Sequence, residues 1–142
     1  MPDTERNNLE RAIEIAVGAY AGQTDKAGET YIRHPLRVME QMDSETERVV
    51  AVLHDVVEDS EYTLAEIEVE FDRKVREAVD ALTKRDGEDY LDDFIPRAAS
   101  NDIARKVKRA DIEDNMDLTR LPDLNDHILE KQAVYHQALQ QL

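Results

Sequence analysis

Cysteine and tryptophan are absent from this chain, and glycine and proline occur only four times each. Without cysteine there is no disulfide framework, no thiolate zinc site and no cysteine nucleophile. Positive charge is also scarce: 18 Lys and Arg face 33 Asp and Glu, for a formal charge of −15. A surface of that sign repels nucleic-acid polymers and acidic membranes, so neither is expected as a partner. An anionic ligand must therefore meet a local exception. No apolar run reaches the roughly 18 residues of a spanning helix, and no signal-peptide core opens the chain, so a soluble, cytoplasmic protein is expected.

What is present is helical periodicity. The 142 residues, 41% of them hydrophobic, suffice for one domain with a core, and no repeat or linker divides them, so residues 1–142 are expected to form one unit. Leu9, Ile13, Ala16 and Tyr20 recur at spacings of three and four and predict a helix from about Thr4 to Ala21. Pro35 suits the opening of a short helix through about Met42. Capping boxes at Ser44 to Glu47 and Thr63 to Glu66 start two more, the first running without interruption to about Glu58 and the second to near Phe71. Val75, Ala78, Val79 and Leu82 mark a further helix, Lys84 to Glu88 an exposed turn, and helical patterns resume over 90–99 and 101–118. Ile128, Ala133, Val134 and Leu139 suggest a last amphipathic helix that closes the core. The fold class is all-α.

The segment from Ala51 to Asp59 sets four ionisable side chains in or beside an apolar run. Burying His54 beside Asp55 costs several kcal/mol, on the order of what only pairing, hydrogen bonding or a metal restores. A hydrogen-bonded His-Asp pair in the core is the plain alternative. Against it, Glu58 and Asp59 follow four residues after His54 and Asp55, at what is otherwise an unfavourable helix end for negative charge. His34 stands just before Pro35, and Asp111 lies on or beside the stripe of Ile103, Val107 and Ala110, with Asn115 four residues on. Together His34, His54, Asp55 and Asp111 make a nitrogen and oxygen donor set suited to Mn²⁺, Fe²⁺, Co²⁺ or Zn²⁺. Such a centre lowers the pKa of water and polarises a phosphoryl oxygen, which hydrolysis of a phosphoester at neutral pH requires. Glu58 and Asp59 are then placed to orient that water or move its proton. Lys26, Arg33, Arg37, Arg105, Lys106, Lys108 and Arg109 supply positive charge either for a substrate or as a solvated face. His127 and His136 have no motif around them and read as surface residues.

These motifs, in this order, resemble the HD-domain metal-dependent phosphohydrolases. The resemblance is specifically to the hydrolase domain of the Rel/Spo stringent-response enzymes and to the small alarmone hydrolases. The resemblance runs from Ala19 to Gln23 and Asp25 to Ile32, through His34 to Val38 and His54 to Asp59, to Leu82 to Lys84 and Val107 to Asn115. It implies an all-α HD-domain helical bundle in which His34, His54, Asp55 and Asp111 bind one metal, typically Mn²⁺. Glu58 and Asp59 are by the same likeness the catalytic acidic pair, with Asn115 near the substrate's ribose or phosphate; Lys26 and Arg33 are expected to add positive charge for the substrate. The implied reaction is attack by water on the 3′-pyrophosphate of the alarmone ppGpp or pppGpp, a small anionic nucleotide. The chain departs from the family at Tyr20, Thr30, Ile112 and Asp117, and at Asp25, where the family carries a basic residue that stacks on guanine. A carboxylate there forfeits cation–π attraction and repels phosphates. A different phosphorylated nucleotide or metabolite is accordingly the second reading, and a nucleotide-binding regulatory module without catalysis the third. The sequence does not fix the oligomeric state.

Overall fold

The computed structural model describes residues 7–142. Helix α1, Asn8–Ala19, begins at a capping box between Asn7 and Glu10 and buries Ala12, Ile15 and Ala16. Thr4, where the periodicity begins, lies outside the described residues. After a loop come α2, Arg33–Glu40, and α3, Glu45–Leu53, the latter capped by Ser44 and Glu47. Val50, Ala51, Val52 and Leu53 have no solvent-exposed surface, which makes α3 the axis on which α1, α2 and two later helices pack. The run Val49 to Leu53 is the reason: past its polar first turn the helix has no polar face to offer water.

Helix α3 does not continue to Glu58. It ends at Leu53, and a short α4, Val56–Asp59, follows. The imidazole of His54 is the cause: its Nδ1 lies 2.6 Å from the Ala51 carbonyl, and the Asp55 amide donates instead to the Tyr20 hydroxyl at 3.2 Å. A side chain that captures a helical carbonyl competes with the backbone ladder. Asp55 accordingly sits at φ −109°, ψ 3°, outside helical geometry.

Helices α5, Leu64–Glu70, and α6, Arg73–Ala81, then pack Ile67, Val75, Ala78 and Val79 into the main core. The exposed turn that follows places Gly87 at φ 82°, a conformation only glycine adopts without strain. Residues 90–99 are not one α-helix. Tyr90–Phe94 forms a wider π-helical turn before α7, Ile95–Ala99. Pro96, which lacks an amide donor and clashes with an ordinary preceding turn, accounts for the widening. Helix α8, Asp102–Asn115, starts at its Asn101 cap, and after the short 3₁₀ turn Leu118–Arg120 the last helix is α9, Asp126–Leu139.

In α9 the expected apolar face is displaced. Tyr135 and Ala138 are the buried residues and Ala133 is exposed. Tyr135 and Ala138 join Phe94, Ile95 and Ile112 in a second, smaller core cluster, which seals α9 and the π-helical turn against α8. His127 and His136 are exposed. No strand forms among the described residues; an isolated bridge joins Thr24 and Thr30.

Candidate metal centre and cleft

The break after α3 sets the site's geometry. His54, 1% exposed, is fixed by its Nδ1 contact to the Ala51 carbonyl. That bond requires a proton on Nδ1 and leaves the lone pair on Nε2. Nε2 is buried without a hydrogen-bond partner: Asp55 Oδ2 is 3.1 Å away and Asp111 Oδ1 3.5 Å away, yet neither is aligned to bond it. A buried polar nitrogen left this way costs about 1–3 kcal/mol.

His34, from the first turn of α2, meets the same point from the other side. Its Nε2 is 2.8 Å from Asp111 Oδ1, and its ring stands edge-on to that of His54, with centroids 5.4 Å apart. Donor atoms of His34, His54 and Asp111 all lie within 4.8 Å of one another, the spread of a single divalent ion's ligand shell. Asp55 stands beside this group rather than within it: its Oδ2 is held by the Tyr31 hydroxyl and lies 3.1 Å from His54 Nε2. An orphaned imidazole nitrogen facing two carboxylates is a donor set that fits a transition-metal ion.

The electrostatics agree. Burial opposes charge on His54, but Asp55 and Asp111 outweigh it and push its pKa well above the ordinary imidazole value. Burial likewise opposes charge on His34, and hydrogen bonds to Asp111 and Asp114 raise it. For Asp111, burial is offset by Lys108 and the two imidazoles, which hold its pKa well below the usual carboxylate range. The pocket therefore favours a cation at its centre, whether a proton or a metal ion.

The remaining expected residues divide. Glu58, Lys26 and Asn115 line a cleft of about 710 Å³ that opens over Asp55 and Asp111. Glu58 accepts from the Lys84 amide at 2.6 Å, and burial, with the charges of Asp55 and Asp59, raises its pKa. Asp59 is raised too, first by burial and then by Asp55, but it is not among the side chains lining the cleft. Asn115 Nδ2 donates to Asp111 Oδ1 at 3.3 Å. Arg33 stands apart, exposed and paired with Glu29 at 2.8 Å.

Sequence reasoning passed over several participants. Lys108 reads as one basic residue among many, yet it is nearly buried, 3.0 Å from Asp111 Oδ2 and over the rings of Tyr90 and Phe94. Asp114 touches His34 Nδ1 at 2.6 Å and receives Arg37 through two bonds of 2.8 and 3.0 Å. The spacing of Asp114 three residues after Asp111 was the available signal, since it puts both on one helix face. Asp25 differs from the simple repulsion its charge suggests. Its Oδ1 accepts from the Ala27 and Glu29 amides at 2.9 and 3.0 Å, so the carboxylate builds the 24–30 loop.

Comparison with known proteins bears on the same residues. A family model described as an HD domain matches residues 12–117 and so spans His34, His54, Asp55 and Asp111. The chain belongs to the HD-domain family. This HD domain is 33% identical over 119 residues to the bifunctional (p)ppGpp synthase/hydrolase SpoT of Escherichia coli, covering 80% of the chain and 16% of that protein. It is 42% identical over 76 residues to a guanosine-3′,5′-bis(diphosphate) 3′-pyrophosphohydrolase of Haemophilus influenzae, covering 51% of the chain and 11% of that protein. The HD domain thus spans about a sixth or less of the length of these relatives. A solved structure of a metazoan SpoT ortholog, a protein that hydrolyses ppGpp, aligns with a TM-score of 0.79. The alignment is 20% identical and covers 97% of this chain and 86% of that one, which shows the same all-α HD fold. Among the described residues no helix is long and apolar enough to cross a membrane.

Proposed function

We propose that this HD domain is a metal-dependent pyrophosphohydrolase that releases pyrophosphate from the 3′ position of ppGpp or pppGpp. The observation that carries the reading is the orphaned Nε2 of His54, buried between Asp55 and Asp111 beneath a cleft open to a small molecule. His34, His54, Asp55 and Asp111 are the proposed ligands of one divalent ion, Mn²⁺ by resemblance. When bound, the ion supplies Lewis acidity that activates water and polarises the phosphoryl oxygen.

The chain's own residues do the rest. Glu58 holds a raised pKa at the cleft edge, which suits a group that takes a proton from water and passes it to the leaving oxygen. Asp59, also raised, is its proposed neighbour in that transfer. Lys108 fixes one oxygen of Asp111 and Asn115 touches the other, so α8 supplies both a ligand and its orientation. Lys26 and Asn115 are the proposed substrate contacts within the cleft; Arg33, expected to add positive charge there, is exposed and paired with Glu29 instead. The relatives' printed names, which specify guanosine-3′,5′-bis(diphosphate), support this choice of substrate.

A second reading, an HD phosphohydrolase for another phosphorylated nucleotide, draws on three observations. Asp25 turns into its loop and offers no guanidinium plane, Ile112 is fully buried, and Asp117 is occupied by Arg120 at 2.9 Å. None provides the stacking cation found in the family.

The deciding experiment is pyrophosphate release from ppGpp by Mn²⁺-loaded protein, with Asp55→Ala in parallel. We expect release by the parent and none by the variant. A properly metallated parent that leaves ppGpp intact while hydrolysing another nucleotide overturns the substrate and keeps the reaction class.

A further inference from the structure

Positive charge in this protein is outnumbered almost two to one, 18 groups against 33, so a lysine without an acidic neighbour is conspicuous when it faces another lysine. Lys106 and Lys108 each hold a carboxylate, at 3.1 and 3.0 Å. Lys26 and Lys131 hold none among the described residues, and both line the cleft. They reach it from different elements, Lys26 from the 24–30 loop and Lys131 from α9, where Lys131 stands one helical turn before Tyr135, the ring that Lys26 approaches.

The loop is built to hold that arrangement. Asp25 ties down the Ala27 and Glu29 amides, the Gly28 amide bonds back to the Asp25 carbonyl at 3.0 Å, and Gly28 itself takes φ 80°. Lys26 is thereby presented at the apex, with Nζ 5.8 Å from the centroid of the Tyr135 ring. Tyr135 lines the same cleft as Asp55, Asp111 and the two amines. Burial and the facing ammonium of Lys131 lower the proton affinity of Lys26, the cost of placing two like charges together. An anion between them removes that cost, and a phosphate offers oxygens to both amines.

We propose that Lys26 and Lys131 form a second anion subsite, which receives the phosphate groups of the substrate that are not cleaved. The cleft then reads as a device for nucleotides phosphorylated at two separated positions: one phosphate group over Asp55 and Asp111, the other on the amine pair beside Tyr135. It selects a nucleoside 3′,5′-bis(diphosphate) over a nucleotide carrying the 3′-diphosphate alone. This rests on the pyrophosphohydrolase reading above and adds α9 to the recognition surface.

The test compares KM for ppGpp with KM for guanosine 3′-diphosphate, which lacks the 5′ phosphates, in the parent, Lys131→Gln and Lys131→Arg. Lys131 is exposed on α9, so its replacement leaves the fold intact. We expect the parent's preference for ppGpp to fall about tenfold in Lys131→Gln, the worth of one charge-assisted contact, and to return in Lys131→Arg. Lys74→Gln, on the exposed face of α6, leaves the preference unchanged. A preference equal in parent and Lys131→Gln overturns the subsite, as does an equal rise in KM for both substrates. If the parent turns over neither nucleotide, the pyrophosphohydrolase reading fails, and equilibrium dialysis of ppGpp decides the subsite: about tenfold weaker binding by Lys131→Gln upholds it, and equal binding overturns it.

Discussion

Nδ1 of His34 lies 2.6 Å from Oδ2 of Asp114, and Asp114 in turn receives Nε and Nη2 of Arg37 at 2.8 and 3.0 Å. The imidazole's far nitrogen, Nε2, is the one aimed at Asp111 in the candidate metal group. A carboxylate behind a ligating histidine fixes its tautomer and ring plane, and loss of such a partner lowers metal affinity about 10–100-fold. We expect Asp114→Ala to bind Mn²⁺ correspondingly more weakly in a competition titration, and Asp114→Asn, which retains an acceptor oxygen, to lose less. Unaltered affinity in the alanine variant would remove Asp114 from the support of His34.

Glu58 is proposed to handle the proton and not to bind the metal. It is absent from the ligand cluster, and its carboxylate is anchored to the Lys84 amide at the cleft edge. Glu58→Gln should keep full metal content while kcat falls about 100-fold or more, since an amide cannot accept the proton of water. Metal analysis and steady-state kinetics on the same preparation check this.

Acid stability should depend on Glu88. Arg97 grips its carboxylate with two bonds, of 2.9 and 2.7 Å, and also donates to the Asp80 and Thr83 carbonyls, so that one guanidinium ties the 84–88 turn to the end of α6. The Arg97 hydrogen bonds lower the Glu88 pKa from 4.5 to about 2. A carboxyl depressed by folding contributes stability that is present above its unfolded pKa and lost as pH falls through the folded one. Glu88→Gln should therefore lower Tm at neutral pH and narrow its gap to the parent between pH 4.5 and about 2. Thermal melts across that range read the effect, and a gap constant with pH would assign the loss to packing.

Leu53 is fully buried in α3, one residue before His54. Leu53→Ala leaves a cavity at the centre of the main cluster and should destabilise the fold by about 2–5 kcal/mol. Chemical denaturation measures that cost, and Leu53→Met, which keeps most of the volume, should cost less than about 1.5 kcal/mol.

Much of this molecule is local and was legible for that reason. Ser44 with Glu47 and Thr63 with Glu66 form their capping boxes as spaced, because each box is complete within four residues. The run Val49 to Leu53 forecast a central helix, since a segment with no polar face has nowhere to go but the interior. The donor types at His34, His54, Asp55 and Asp111 were also readable, as residue chemistry suited to one class of ion.

Tertiary structure decided what those residues do to one another. The break after Leu53 follows from a contest for the Ala51 carbonyl, which the His54 imidazole enters and which periodicity does not register. The shift of the α9 face from Ala133 to Tyr135 and Ala138 follows from where Phe94, Ile95 and Ile112 happen to stand. Lys26 and Lys131, 105 positions apart by their numbering, meet because a loop and the last helix close over the same cleft. Composition and spacing determined the helices and the chemical character of the site. Partnership across the fold, a matter of distance in space rather than in sequence, decided which nitrogen was left bare, which carboxylate turned inward and which charges were brought together.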